Sequence, residues 1–267
     1  MEAFACDLDG TLIGPDALLR PRTLAAIAAA REAGIRVIVA TGRMFRSVRP
    51  YLEQAGVEDP VVCYQGAAVV DPRSGRFLVH EPIPLGVARE AIALLLELGH
   101  EPNCYVDDEL FVARHTEYSR AYADFQRLPV TEVGDLLAWL ERPPTKLVAV
   151  GDPAELPALR ARLAPHLDGR VFLTTSLPYL LELGRAGVSK GTGLAHVAGA
   201  IDLSPAGTVA FGDGENDLDL LAWAGFGVAV EHAHPQLRAA AHWLCPGPEE
   251  DGVARVVEAY LDVHSRR

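Results

Sequence analysis

Asp7 and Asp9 stand two residues apart, followed at once by Gly10 and Thr11. On an extended chain such a pair points the same way, and two crowded carboxylates are unfavourable without a cation or a shared proton. Hard divalent ions such as magnesium take oxygen ligands of this kind. Gly10 lets the backbone turn tightly just beyond the pair. The same residues also read as an ordinary solvated acidic turn. Asp213, Glu215 and Asp217 crowd a second short loop, with Gly212 and Gly214 among them, directly after the apolar TVAF. That density of acids fits a metal or anion site better than a plain turn.

Two further stretches offer groups that hold phosphate. Thr41-Gly42-Arg43 presents a hydroxyl and a backbone amide to a phosphate oxygen. Thr is equally a good helix N-cap; helix N-termini bind anions, so the two readings are compatible. Lys190 follows Gly187-Val188-Ser189 at a helix start, a setting in which a lone lysine is ordinarily a solvated charge.

The elements that must position these groups alternate. An apolar strand, EAFAC, runs into Asp7. A helix is predicted over residues 21–33, with Leu24, Ile27 and Ala28 at helical spacing and Gly34 as its stop. The β-branched strand IRVIVA ends at Thr41, another helix runs to Ala55-Gly56, and PVVCYQG reads as a third strand. Short apolar strands alternating with amphipathic helices predict a parallel sheet covered on both faces. Ligands of such sheets bind outside the carboxyl ends of the strands, where all four stretches fall.

After Val70 the pattern changes. Residues 71–83 resemble a hairpin with its turn at Pro72 to Gly75, leading into a Pro-rich connection. Residues 84–184 then read as a mixed α+β segment: a helix over 87–98, strands at 103–106 and 110–113, helical segments, a strand TKLVAVG, a helix over 155–165 and two closing strands. Beyond it the first pattern returns: a helix from Ser189, the strand TVAF, a helix over 218–223, the strand GFGVAV and a helix over 235–243. The chain is thus expected to be an α/β protein. Its Rossmann-like parallel-sheet core would span residues 1–83 and 185–267, interrupted by an inserted α+β cap domain at 84–184.

Bulk composition narrows the partners. A 267-residue chain with 49% hydrophobic and 22% charged residues buries a sizeable core. A formal net charge of -12 argues against nucleic acid or an anionic membrane as partner. Cys6, Cys63, Cys104 and Cys245 are far apart and match neither a disulfide framework nor a zinc site, so they read as small buried hydrophobes. No apolar run reaches the roughly 18 residues of a membrane span, and the N-terminus lacks a signal core, which places the protein in the cytoplasm.

Taken jointly, the stretches resemble the haloacid dehalogenase-type phosphatases, in particular the Cof-like subgroup with a large α/β cap. The pattern DxDGT matches Asp7 to Thr11, TGR matches Thr41 to Arg43, and GVSKG matches Gly187 to Gly191. GDxxND matches Gly212 to Asp217, and EDGVA matches Glu250 to Ala254. The resemblance implies a magnesium-dependent phosphatase acting on small phosphorylated metabolites, with Asp7 as nucleophile and Asp9 as acid and base. It implies Mg2+ on Asp7, the Asp9 carbonyl and Asp213, with Asp217 as ligand or support. Thr41, Gly42 and Lys190 would hold phosphate oxygens, Arg43 and Gln65 would line the substrate site, and Asn216 would touch phosphate or orient Lys190.

The chain departs from the subgroup at two places. Gln65-Gly66-Ala67 stands where Asn-Gly-Ala is common, and Val230-Glu231-His232-Ala233 where Met-Gly-Asn-Ala is. His232 and His234 could be read as a transition-metal pair, but they lack a third ligand. Two rivals use similar residues: a signalling receiver domain, roughly half this length, and a phosphosugar sensor without catalysis. A phosphotransferase on the same aspartate is the nearer alternative.

Overall fold

The computed structural model describes residues 1–126, 128–175 and 177–265. The chain begins with β1 (Ala3–Cys6), α1 (Pro21–Glu32), β2 (Arg36–Val39) and α2 (Phe45–Ala55). Three short strands follow: β3 (Val61–Cys63), β4 (Ala68–Val70) and β5 (Phe77–His80). Next come α3 (Leu85–Glu97), β6 (Pro102–Val106), β7 (Glu109–Val112), α4 (Glu117–Gln126) and β8 (Val130–Glu132). The middle closes with α5 (Leu136–Trp139), β9 (Lys146–Val150), α6 (Leu156–Leu167), β10 (Val171–Thr174) and β11 (Leu180–Arg185). The last part holds α7 (Lys190–Ile201), β12 (Thr208–Gly212), α8 (Leu218–Trp223) and β13 (Phe226–Val230). It ends with α9 (Pro235–Ala240), β14 (Trp243–Cys245) and α10 (Gly252–Ser265).

The chain forms two compact units. One comprises Met1–Gly42, Val48–Val79 and Ser189–Arg267; the other comprises Arg43–Ser47 and His80–Val188. The first unit is built on a five-stranded parallel sheet of order β14-β13-β12-β1-β2. Its strands are apolar because both faces are covered: α1 packs on β2 and α10, while α7 and α8 pack on each other, on β3 and on β12. From β1 the chain steps to β2 on one side, and later returns as β12 on the other. The crevice at that reversal, outside the strand ends, is where an open α/β sheet binds ligands.

The second unit has a six-stranded sheet of order β10-β11-β9-β6-β7-β8, antiparallel except for the β7–β8 pair. One face supplies Cys104, Leu147, Leu181 and Leu183 to a core shared with Ile92 and Leu95 of α3 and Leu159 and Leu163 of α6. The alternate residues point away from that core, as period two demands. Among them Lys146 donates to Glu182 Oε2 at 3.0 Å, both side chains buried, with the ammonium 5.0 Å from the Tyr105 ring centroid. Asp107 and Asp108 turn the β6–β7 hairpin at φ 50° and 59°, which Asp tolerates better than most residues. The Asp108 carboxylate also accepts from the Phe45 and Arg46 amides at 2.9 and 3.0 Å, capping the start of α2.

Three sequence expectations are corrected. PVVCYQG does not extend the parallel sheet as a third strand. Val61–Cys63 pairs antiparallel with β4 in a separate sheet of order β3-β4-β5, joined to the main one by the Ala40–Val62 bridge. The helix expected over 235–243 stops at Ala240, and Trp243–Cys245 is the edge strand β14. Apolar residues at an edge read alike in either element, and pairing with β13 decided the matter. The helical segments expected after Ala113 include a strand, β8, whose residues Val130, Thr131 and Glu132 are too few to show a period. Among the described residues no helix is long and apolar enough to cross a membrane.

Candidate active site

Parallel register delivers the chemical residues to one edge of the first sheet. Cys6 pairs with Val39 on one side and Phe211 on the other, so the residues just past all three strands emerge side by side. Asp7 follows β1 and is tied by its amide to the Phe211 carbonyl at 2.9 Å. Thr41 follows β2, with its amide on the Val62 carbonyl at 2.8 Å. Asp213 follows β12. Beyond Asp7, Gly10 has φ 86°, and a Cβ built there would lie 2.2 Å from Asp213 Oδ2, so only glycine lets the first loop pass the second.

Lys190 is the hub. It is buried at the first position of α7, behind a Ser189 N-cap whose hydroxyl accepts from the Thr192 amide at 3.2 Å. A cation there opposes the helix dipole. Two carboxylates offset this: Nζ donates to Asp7 Oδ1 at 2.5 Å and to Asp217 Oδ1 at 2.6 Å. Burial alone would pull the ammonium down, but Asp217 and Asp7 outweigh it and hold Lys190 above the usual lysine range. The other oxygen of Asp217 accepts from the Asp213 and Gly214 amides at 3.0 and 2.9 Å. Both oxygens of Asp217 are therefore engaged, and the side chain pins the loop.

Asp7 is different. Its Oδ2 is buried without a hydrogen-bond partner. Burial pushes its carboxyl well above the ordinary range; Lys190 opposes that, while Asp217, Asp213 and Asp9 add to it. Asp213 is pushed up to about 7 by burial and by Asp217. Thr11 Oγ1 donates to Asp213 Oδ1 at 3.5 Å. One oxygen each from Asp7, Asp213 and Asp217 lies within 4.8 Å of the others, and this is the one such group of three potential ligands found among the described residues. Buried like charges and an orphaned carboxylate oxygen fit a hard divalent cation. His232 and His234 join no such group; the His234 amide instead bonds the Asp213 carbonyl at 2.7 Å.

The remaining expected residues divide. Asp9 is half-buried, in a one-residue bridge to Ile13. Asn216 Nδ2 donates to Gln65 Oε1 at 3.0 Å. Arg43 belongs to the second unit, where its guanidinium donates to Ser47 Oγ at 3.2 Å. Sequence reasoning gave no role to Thr11, although it sits inside the first motif, nor to Gly66. A Cβ on Gly66 would fall 1.9 Å from the Ser189 carbonyl oxygen, so the turn before it seats directly on the start of α7. Its signal was the Gln-Gly pair closing an apolar strand. All four cysteines are buried and none forms a disulfide among the described residues; burial pushes Cys104 up to about 12 and Cys245 up to about 11, which leaves both unreactive thiols.

Comparison with known proteins agrees with this architecture. A family model described as haloacid dehalogenase-like hydrolase matches residues 4–257. The chain is 29% identical over 266 residues to the 5-amino-6-(5-phospho-D-ribitylamino)uracil phosphatase YitU of Bacillus subtilis, covering 97% of each. It is 29% identical to the pyridoxal phosphate phosphatase YbhA of Escherichia coli, covering 97% of this chain and 98% of that one. Among solved structures, a haloacid dehalogenase-like hydrolase from Bacteroides thetaiotaomicron superposes with a TM-score of 0.88 at 25% identity, covering 97% and 99% of the two chains.

Proposed function

The chain belongs to the haloacid dehalogenase-like hydrolases and is a phosphoric monoester hydrolase, and from that premise we propose that it cleaves small phosphate monoesters through an aspartyl-phosphate on Asp7, with magnesium bound. The observation that carries this reading is Asp7 itself: a buried carboxylate with one oxygen on Lys190 and the other without a donor, beside Asp213. A carboxylate oxygen at the site that accepts no hydrogen bond is what attack on phosphorus requires, and it supports Asp7 as the nucleophile.

The Asp7 carboxylate attacks phosphorus while the bond to the leaving oxygen breaks, and Asp9 gives that oxygen its proton. Water then attacks the phosphorus of the acyl phosphate and passes a proton to Asp9; the bond to Asp7 breaks and orthophosphate leaves. The Thr41 hydroxyl, the Gly42 amide and Lys190 hold the equatorial oxygens, where negative charge spreads. Asp7, the Asp9 carbonyl and Asp213 would hold magnesium, with Asp217 as support because its oxygens are already engaged. Bound there, the ion would neutralise the crowded carboxylates and the incoming phosphate. The insert at 84–184 is assigned the choice among metabolites. The substrate class is that of the two named relatives: phosphate monoesters of small organic molecules.

Purified protein should hydrolyse p-nitrophenyl phosphate with magnesium and stop with a chelator, and magnesium should raise its melting temperature. Full activity in metal-free buffer would sink the metal assignment, and no turnover under any metal would sink the enzyme reading. Asp9 has a sharper test. If it protonates the leaving oxygen, Asp9→Asn should slow the first turnover of a sugar phosphate at least about tenfold more than that of a nitrophenyl ester, which departs without help. Equal slowing of both in a pre-steady-state mix would leave Asp9 a purely electrostatic role.

A further inference from the structure

Gln65 is the one uncharged side chain of the site whose hydrogen bonding is left incomplete among the described residues. The residue is 3% exposed, its Oε1 accepts from Asn216 Nδ2 at 3.0 Å, and its Nε2 is buried without a partner. Buried amide donors are normally satisfied, so an orphan held in place marks a position meant for an absent acceptor. The backbone beneath it is unusual as well. Tyr64 and Gln65 both lie in the left-handed region, at φ 54° and 58°, and Gly66 continues at 102°. Two consecutive non-glycine residues in that region are uncommon and are kept where surrounding contacts demand them. Here the demands are the Gln65 amide on the Thr41 carbonyl at 3.1 Å and the seating of Gly66 against Ser189.

The orphan has a definite neighbour. A Cβ built on Gly42 would fall 2.3 Å from Gln65 Nε2, so the amide lies against the one residue of the Thr41-Gly42 loop that has no side chain. Asn216, which precedes Asp217 in the metal-side loop, fixes which end of the carboxamide faces Gly42. The acidic loop and the turn after β3 thus join to aim a neutral N–H pair at the phosphate-holding backbone.

We propose that Gln65, oriented by Asn216, donates from Nε2 to a phosphoryl oxygen seated beside Gly42, and so forms a neutral part of the oxyanion cradle. The inference rests on the phosphatase reading above and adds a donor to it. Lys190 is already shared between two carboxylates, so an uncharged donor supplies hydrogen bonding there without a further buried charge. Asn216 is a positioning residue in this arrangement.

The test uses inorganic phosphate as the probe, titrated by calorimetry in saturating magnesium, alongside kcat and KM for p-nitrophenyl phosphate. Gln65→Glu keeps an acceptor for Asn216 but replaces the donor with a negative charge. Phosphate affinity should fall about 10²-fold or more, and kcat with it. Gln65→Leu, free of any buried charge, should lose about tenfold, and Asn216→Ala should cost far less in that background than in wild type. Melting curves of all variants check that each remains folded. Unchanged phosphate affinity in both Gln65→Glu and Gln65→Leu overturns the donor. Wild-type protein that binds phosphate in a Gln65-dependent way but turns nothing over would instead overturn the phosphatase reading and leave the donor standing.

Discussion

Asp7→Asn is expected to lose about 10⁴-fold or more in kcat, the scale on which enzymes lose rate when a nucleophile is removed. An amide of the same shape is a poor nucleophile at phosphorus, and no other carboxylate stands in its place. Asp217 has both oxygens engaged by Lys190 and by the Asp213 and Gly214 amides, and Asp213 belongs to the other strand end. The loss should come without unfolding. In metal-free buffer Asp7, Asp213 and Asp217 crowd three carboxylates within 4.8 Å, so taking one charge away relieves repulsion. The variant should then melt no lower than wild type in chelator, with a smaller upward shift on adding magnesium. Phosphate binding should persist, since the donors to the oxyanion are intact. More than a trace of turnover would move the nucleophile elsewhere, and a large fall in melting temperature would turn Asp7 into a structural residue.

Lys190→Met should be costly twice over. The ammonium bridges Asp7 and Asp217 at 2.5 and 2.6 Å from a buried position. Removing one side of such a buried arrangement leaves uncompensated charge and costs about 3–5 kcal/mol. For a chain of this size that is a drop on the order of 10 °C in melting temperature. Turnover should fall a further 10²-fold or so through loss of transition-state stabilisation. Magnesium should restore part of the stability, because it neutralises the same carboxylates, but not the rate. Lys190→Arg separates charge from geometry. It keeps the positive charge, yet a planar fork cannot place one nitrogen against both carboxylates, so stability should recover more than activity. If Lys190→Met melts as wild type does, the two carboxylates do not depend on it.

Much of the architecture could be read from residue patterns because local physics dictates it. Apolar runs ending in Asp7, Thr41 and Asp213 announce buried parallel strands, and the glycines after them announce turns. The return of that pattern after a differently patterned middle announced an insertion. Edges and pairing partners were less legible. Val61–Cys63 and Trp243–Cys245 are three residues each, too short to reveal whether they continue a sheet, start another or end a helix. Only cross-strand hydrogen bonds settle that choice.

The site divides along the same line. Residue types and spacing determined that Asp7, Thr41 and Asp213 would lie at strand ends, since parallel strands all point their carboxyl ends one way; Lys190, expected there too, instead opens the helix α7. Tertiary structure alone decided what each group does there. Lys190 looks in the sequence like a solvated charge, and becomes a buried bridge only because α7 starts against the turn at Gly66. By residue type alone Asp213 and Asp217 are alike, yet in the fold both oxygens of Asp217 are engaged by neighbours. Gln65 is an ordinary polar residue until a turn with two left-handed residues, Tyr64 and Gln65 itself, buries it and leaves its Nε2 unpaired. Those outcomes depend on which groups 27, 151 and 183 positions apart are brought within hydrogen-bonding distance, and separation along the chain carries no trace of it.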